Sequence, residues 1–140
     1  MKMAAFGKDH LIKFLSCGTD IHLKKMSNDN SLIVRTYSSA QNYSDIFLAM
    51  QNFTEKRQHQ SDEIWLLQHN PTYTQGLAGK PEHIKSKLPF PLVNTDRGGQ
   101  ITFHDPGQIM CYLLIDIKRK NLSIIDLIDK TKALIIATLN

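Results

Sequence analysis

"DRGGQITFHDPGQ", residues 96–108, packs three glycines, a proline, an arginine, a histidine and two glutamines around one short alternating run. An ordinary core strand has no use for that composition. Gly98 and Gly99 follow Arg97 directly after an extended segment. Glycine permits positive φ and lets a backbone approach a ligand closely. Successive peptide N–H groups in such a turn form a concave anion site, and Arg97 adds a forked cation. The same spacing also fits a hairpin turn between 90–95 and 100–104, with Arg97 solvated. It matches neither GxGxxG nor GxxxxGK[ST], which argues against a nucleotide phosphate loop.

Working outward, alternation over 100–104 sets Ile101 and Phe103 on one side and Gln100, Thr102 and His104 on the other. His104 ends this strand, just before the Pro106–Gly107 turn. An imidazole titrates near neutrality and suits a hydrogen bond to a substrate carbonyl or a reacting thiol; the plainer role is that of a hydrogen-bonded turn residue. Upstream, "FPLVNT" (90–95), "EIWLLQH" (63–69) and "LIVRTY" (32–37) read as strands. Pro71 stops the 63–69 strand or places it at an edge. "TYTQG" continues extended to Gly76, and Thr74 and Gln75 read as a plain strand end. "GKPEHIK" (79–85) fits one short helical turn with Pro81 at its start. Ser39 offers an N-cap for a helix over 40–57, marked by Ile46, Phe47, Met50 and Phe53 at helical spacing.

Downstream, "IMCYLLIDI" (109–117) is apolar enough for a strand covered on both faces, which makes Cys111 a buried structural thiol. Ser123 with Asp126 resembles a capping box. Ile124, Ile125, Leu127, Ile128, Leu134 and Ile135 then mark a helix running to the end. The sum, about five strands and two long helices, predicts an α/β (α+β) fold with a mixed sheet flanked by helices.

A chain of 140 residues fits one domain. Its net charge of +4 is spread out apart from Lys118, Arg119 and Lys120. Nucleic-acid binders carry a denser basic stripe with stacking aromatics, so an acidic protein partner suits this charge better. Cys17 and Cys111 form no CxxC pair, and the six histidines show no HxxxH or HExxH spacing; neither a disulfide framework nor a metal site is indicated. No apolar run approaches a membrane span, and residues 1–18 lack the apolar segment of a secretory signal. Reduced thiols in the cytoplasm are therefore expected. Residues 1–25 are short on pattern and read as an N-terminal extension before 26–140, with Met26 as a natural start, or as a short helix around His10–Leu15.

"DEIWLLQHNPTYTQGLAGKPEH" (62–83) followed by "DRGGQITFHDPGQIMCYLLIDIKRKNLSIIDLID" (96–129) resembles the bacterial octanoyltransferases of lipoate biosynthesis, from about Ser31 onward. The RGGQ-x-T-x-H-x-PGQ string carries most of the likeness. The resemblance implies the mixed-sheet catalytic domain shared with lipoate and biotin protein ligases. It implies transfer of an octanoyl group from octanoyl-acyl carrier protein, through a cysteine thioester, to a lysine on lipoyl domains of 2-oxoacid dehydrogenases and on the glycine cleavage H protein. It calls for no cofactor, metal, nucleic acid or membrane. It implies substrate binding by Arg97, Gly98, Gly99, Gln100, Ile101, Thr102, Phe103 and His104, with Ile101 and Phe103 in apolar contact with the chain. The family's catalytic cysteine and helper lysine match no position here, so no catalytic residue is assigned, and 26–140 corresponds to the N-terminal portion of the domain. A truncated remnant or a split half needing a partner chain is the alternative. A lipoate-protein ligase shares the fold but needs a nucleotide site. Asp105 stands where the family carries glycine. It is expected to bond the His104 ring or intrude on the site, or to be strained if the position needs positive φ.

Overall fold

The computed structural model describes residues 11–12, 21–25, 32–58 and 61–139. The expectations for Met26 as a start and for Cys17 lie outside the described residues. Among them the chain forms β1 (Leu11–Ile12), β2 (Ile21–Lys25), β3 (Ile33–Tyr37), α1 (Tyr43–Lys56), β4 (Glu63–Leu67), β5 (Thr72–Gln75), β6 (Leu92–Asn94), β7 (Ile101–His104), β8 (Met110–Leu114) and α2 (Ile124–Leu139). Leu11–Ile12 is extended and pairs with β2, so the helix expected around His10–Leu15 does not form there. The class is α/β as expected, with more strands than the sequence displays.

One sheet runs β1-β2-β3-β4-β8. β3 and β4 are parallel, which requires a crossover, and α1 supplies it. β8 returns antiparallel to β4. In β4, Glu63, Trp65 and Leu67 alternate toward one face. Trp65 and Leu67 pack with Ile46 of α1, surrounded by Tyr37, Met50, Phe53, Met110 and Tyr112. Burying each of these large side chains contributes about 1.5–3 kcal/mol. Glu63 turns inward too, because its carboxylate has three donors: Trp65 Nε1 at 2.6 Å and Arg35 through Nε at 3.0 Å and Nη2 at 3.1 Å.

α1 starts later than the sequence predicts. Asn42, not Ser39, is the cap, accepting from the amides of Ser44 at 2.9 Å and Asp45 at 3.4 Å. Ser39 is used locally instead; its carbonyl and hydroxyl accept from Gln41 Nε2.

A second sheet runs β6-β5-β7. β5 does not prolong β4; the chain turns at Pro71 and β5 pairs parallel with β6 and antiparallel with β7. The hairpin reading of 90–104 fails for the same reason, since β5 lies between the two strands. Pro81–His83 forms the short helical turn read from the sequence.

α2 opens on the expected capping box: Asp126 accepts from Ser123 N at 2.8 Å, and Ser123 Oγ from Asp126 N at 3.0 Å. No residue of α2 is buried. Cys111, expected to be buried, is exposed. β8 is covered over the core by Met110, Tyr112 and Leu114, and Cys111 points to the opposite, uncovered face.

Candidate substrate site

The site forms where the ends of β4, β5 and β7 meet the start of α1. Gln41 ties these together: its amide donates to Gln68 O at 2.8 Å, and its carbonyl accepts from Asn70 N at 2.9 Å. That fixes Tyr43, one residue past the cap, against two imidazoles. Its ring centroid lies 4.8 Å from His69 and 5.4 Å from His104, the second pair stacked.

His69 is 1% exposed. Its Nδ1–H donates to Gln41 O at 3.3 Å, which leaves Nε2 to accept from the Tyr112 hydroxyl at 2.7 Å. Burial holds its pKa below the usual imidazole value, against the pull of the Gln41 carbonyl. Burial also pushes both phenols up, Tyr112 strongly. Sequence reasoning assigns no functional role to Tyr43, His69, Gln108 or Tyr112, and reads Thr74 as a plain strand end. The only available signal was alternation in "TYTQ", which turns Thr72 and Thr74 to the face of His104.

The residues singled out from the sequence do come together, on two faces. On the inner face, His104 is buried. Its Nε2 lies 3.0 Å from Thr74 Oγ1, and its Nδ1 lies 3.0 Å from Gln108 Oε1. Arg97 is not solvated. Its Nη2 sits 3.0 Å from Thr74 O, 2.9 Å from Thr74 Oγ1, 2.8 Å from Gln100 O and 3.0 Å from Thr102 Oγ1. Nη1 donates to Gly98 O at 3.0 Å. The guanidinium is thus the internal brace of its own turn. On the outer face, Phe103 packs on Tyr73 at 4.7 Å and stacks with Phe90 at 5.7 Å.

The close approach anticipated from the glycines is partly internal. A Cβ on Gly76 would fall 2.5 Å from Gly99 O and 2.8 Å from the carbonyls of Arg97 and Gly98, so only glycine lets β5 pass beneath the loop. Gly76, Leu77 and Ala78 donate their amides to the carbonyls of Gln100, Arg97 and Gly99. The carbonyls of this loop are taken up internally, while the amides of Gly98, Gly99 and Gln100, all exposed residues, meet no acceptor among the described residues. Gly99 has φ +89°, and a side chain at Gly98 would meet nothing within 4 Å. Successive main-chain amides of this kind can form an anion- or carbonyl-binding concavity.

Asp105 differs from expectation. Positive φ falls on Gly99, Gly107 and Asn121, so Asp105 is unstrained. The His104 nitrogens are taken by Thr74 and Gln108, so its carboxylate does not bond the ring. The turn glycine is Gly107, whose amide donates to Gln68 Oε1 at 2.7 Å.

A groove of about 360 Å³ runs beside Arg97, lined by Phe47, Met50, Gln51, Thr54 and Glu55 of α1 and by Asp96. Phe47 stacks on Tyr43 at 6.2 Å, so one aromatic ring separates the groove from the imidazole pair. Among the described residues no group of three His, Cys, Asp or Glu side chains could hold a metal, and no helix is long and apolar enough to cross a membrane.

The lipoyl protein ligase A/B catalytic domain family matches residues 42–140. The chain belongs to that family. It is 54% identical over 95 residues to an octanoyltransferase of Coxiella burnetii (strain Dugway 5J108-111), covering 67% of this chain and 39% of that protein. It is 50% identical over 105 residues to an octanoyltransferase of Nitrosospira multiformis, covering 74% and 49%. An octanoyltransferase of Haemophilus influenzae (strain PittEE) is 50% identical over 113 residues, covering 79% and 53%. The chain spans about half the length of the curated relatives it matches or less. The matched segment includes α1, β4, β5 and β7, the elements that build the site, and begins one residue after Gln41.

Proposed function

We propose that this chain is the acyl-binding portion of an octanoyltransferase of lipoate biosynthesis, acting in the cytoplasm. The donor is octanoyl-acyl carrier protein, and the acceptor is a lysine of lipoyl domains of 2-oxoacid dehydrogenases and of the glycine cleavage H protein. The observation that carries the reading is the set of unbonded amides at Gly98, Gly99 and Gln100, in a turn braced by Arg97 whose Thr74 contact is shared with a buried imidazole, near a groove to which Phe47 and Met50 contribute apolar surface. A thioester carbonyl gains charge on its oxygen during acyl transfer, and preorganised amides are suited to that charge. Arg97, Thr102 and His104 shape the polar end, and Tyr43, Phe47 and Met50 take the aliphatic chain. Ile101 and Phe103 share the opposite face of β7, where Phe103 anchors the strand on Tyr73 and Phe90. Cys111 is not the attacking sulfur: it is exposed on the face of β8 opposite Tyr112, and the desolvation it does experience raises its thiol pKa, whereas the thiolate is the nucleophile.

Calorimetric titration with the N-acetylcysteamine thioesters of octanoate and acetate tests this. The octanoyl compound is expected to bind at least about tenfold tighter, since six buried methylenes contribute about 0.8 kcal/mol each at most. Phe47→Ala should narrow that preference, and Phe103→Ala should lower stability without changing it. Mass spectrometry of the same mixture should find no octanoyl adduct on Cys111. Equal affinity for the two thioesters, or a stable Cys111 adduct, overturns the proposal.

A further inference from the structure

We infer that Thr74 is a positioning residue, whose hydroxyl couples the Arg97 loop to the His104 ring and fixes that imidazole in its Nδ1–H form. The inference rests on the reading of 97–104 as a substrate site and adds to it a residue outside that run. Thr74 is 0% exposed, so water cannot substitute for its partners. Its Oγ1 lies 2.9 Å from Arg97 Nη2 and 3.0 Å from His104 Nε2.

The direction of each bond follows from what the groups can do. A guanidinium only donates, so the Thr74 oxygen accepts from Arg97. The amide oxygen of Gln108 only accepts, so Nδ1 of His104 carries the hydrogen. The ring's Nε2 then receives the single Thr74 O–H. The chain runs one way, from Arg97 through Thr74 and His104 to Gln108. A free neutral imidazole in water prefers the opposite, Nε2–H, form. Here the tautomer is set by the partners, as is general for buried histidines.

Two consequences follow for the site. The Nε2 lone pair accepts from the Thr74 hydroxyl, so the ring is held in one orientation while Thr74 is in place. The loop geometry and the ring state also become linked, because one oxygen serves both. Serine retains that oxygen; valine has the same outline without it.

The test uses the full 140-residue chain labelled with ¹⁵N-histidine, with the His104 ring signals assigned through His104→Gln. Wild type and Thr74→Ser are expected to show a pyrrole-like Nδ1 and a pyridine-like Nε2 at pH 8. Thr74→Val is expected to shift toward the Nε2–H form and to bind the octanoyl thioester roughly tenfold more weakly, with Thr74→Ser within about threefold of wild type. An unchanged His104 spectrum in Thr74→Val overturns the inference. Should valine prevent folding, Arg97→Gln decides the matter: Thr74 Oγ1 is the hydrogen-bond partner that the two side chains share among the described residues, so a shift of the His104 signals toward the Nε2–H form supports the coupling and an unshifted spectrum overturns it. A wild-type chain with the expected tautomer that binds neither thioester leaves Thr74 coupling intact and defeats the substrate reading instead.

Discussion

At the scale of single residues, burial decides what each imidazole does. His69 is kept neutral by its surroundings, with its pKa held below the ordinary 6.5, chiefly by desolvation. The unfolded chain therefore binds the proton first as pH falls. This contribution to stability is intact above about 6.5, is lost as pH falls below it, and levels off below the folded-state value. The denaturation midpoint should accordingly drop between pH 7.5 and 5.5, and His69→Gln should flatten part of that slope; an identical slope in the variant would remove His69 as the cause. The same scale shows what a sequence hides. Gly98, Gly99, Arg97 and His104 stood out because their composition is unusual for a strand. Thr74 did not, since a threonine in a strand is commonplace and its meaning comes from Arg97, 23 positions away. Cys111 was misread because an apolar run reports the preference of a segment, and the face left uncovered is decided by tertiary neighbours.

At the scale of elements, the entrance to α1 holds the site in place. The Asn42 cap, the Gln41 bridge to His69 and the Tyr43 ring are three consecutive residues with three different jobs. Asn42→Ala should cost about 1 kcal/mol in chemical denaturation and weaken octanoyl thioester binding as well, whereas Asn42→Asp should leave both nearly unchanged. A loss of stability with unaltered binding would separate the cap from the site. Periodicity found α1 and β4, because both pack one face on the same core and their residues repeat accordingly. It does not by itself mark the break between β4 and β5, because both segments are extended and both alternate; Pro71, read as a stop or an edge signal, marks it, but does not say that the chain changes sheet. The partners of β5, namely β6 and β7, come later in the chain, and local pattern carries no record of them.

At the scale of the whole molecule, the two ends of the described chain differ sharply. The core around Trp65 and Leu67 is closed by α1, while α2 exposes Ile124, Ile125, Leu134, Ile135, Ile136 and Leu139, each more than half accessible. Apolar area on that scale is characteristic of an interaction surface. The isolated 140-residue chain should bind a hydrophobic dye and associate as its concentration rises. Leu134→Glu combined with Ile135→Glu should reduce both without moving the unfolding midpoint of the sheets. A sharp monomeric melt with no dye signal would show that α2 finds cover within the chain. The 98–100 turn answers to a different constraint. Its donors are peptide groups, which neither ionise nor oxidise, so acid reaches this protein through its carboxylates and imidazoles and peroxide through its sulfurs, while the hydrogen-bonding outline of the turn stays chemically inert.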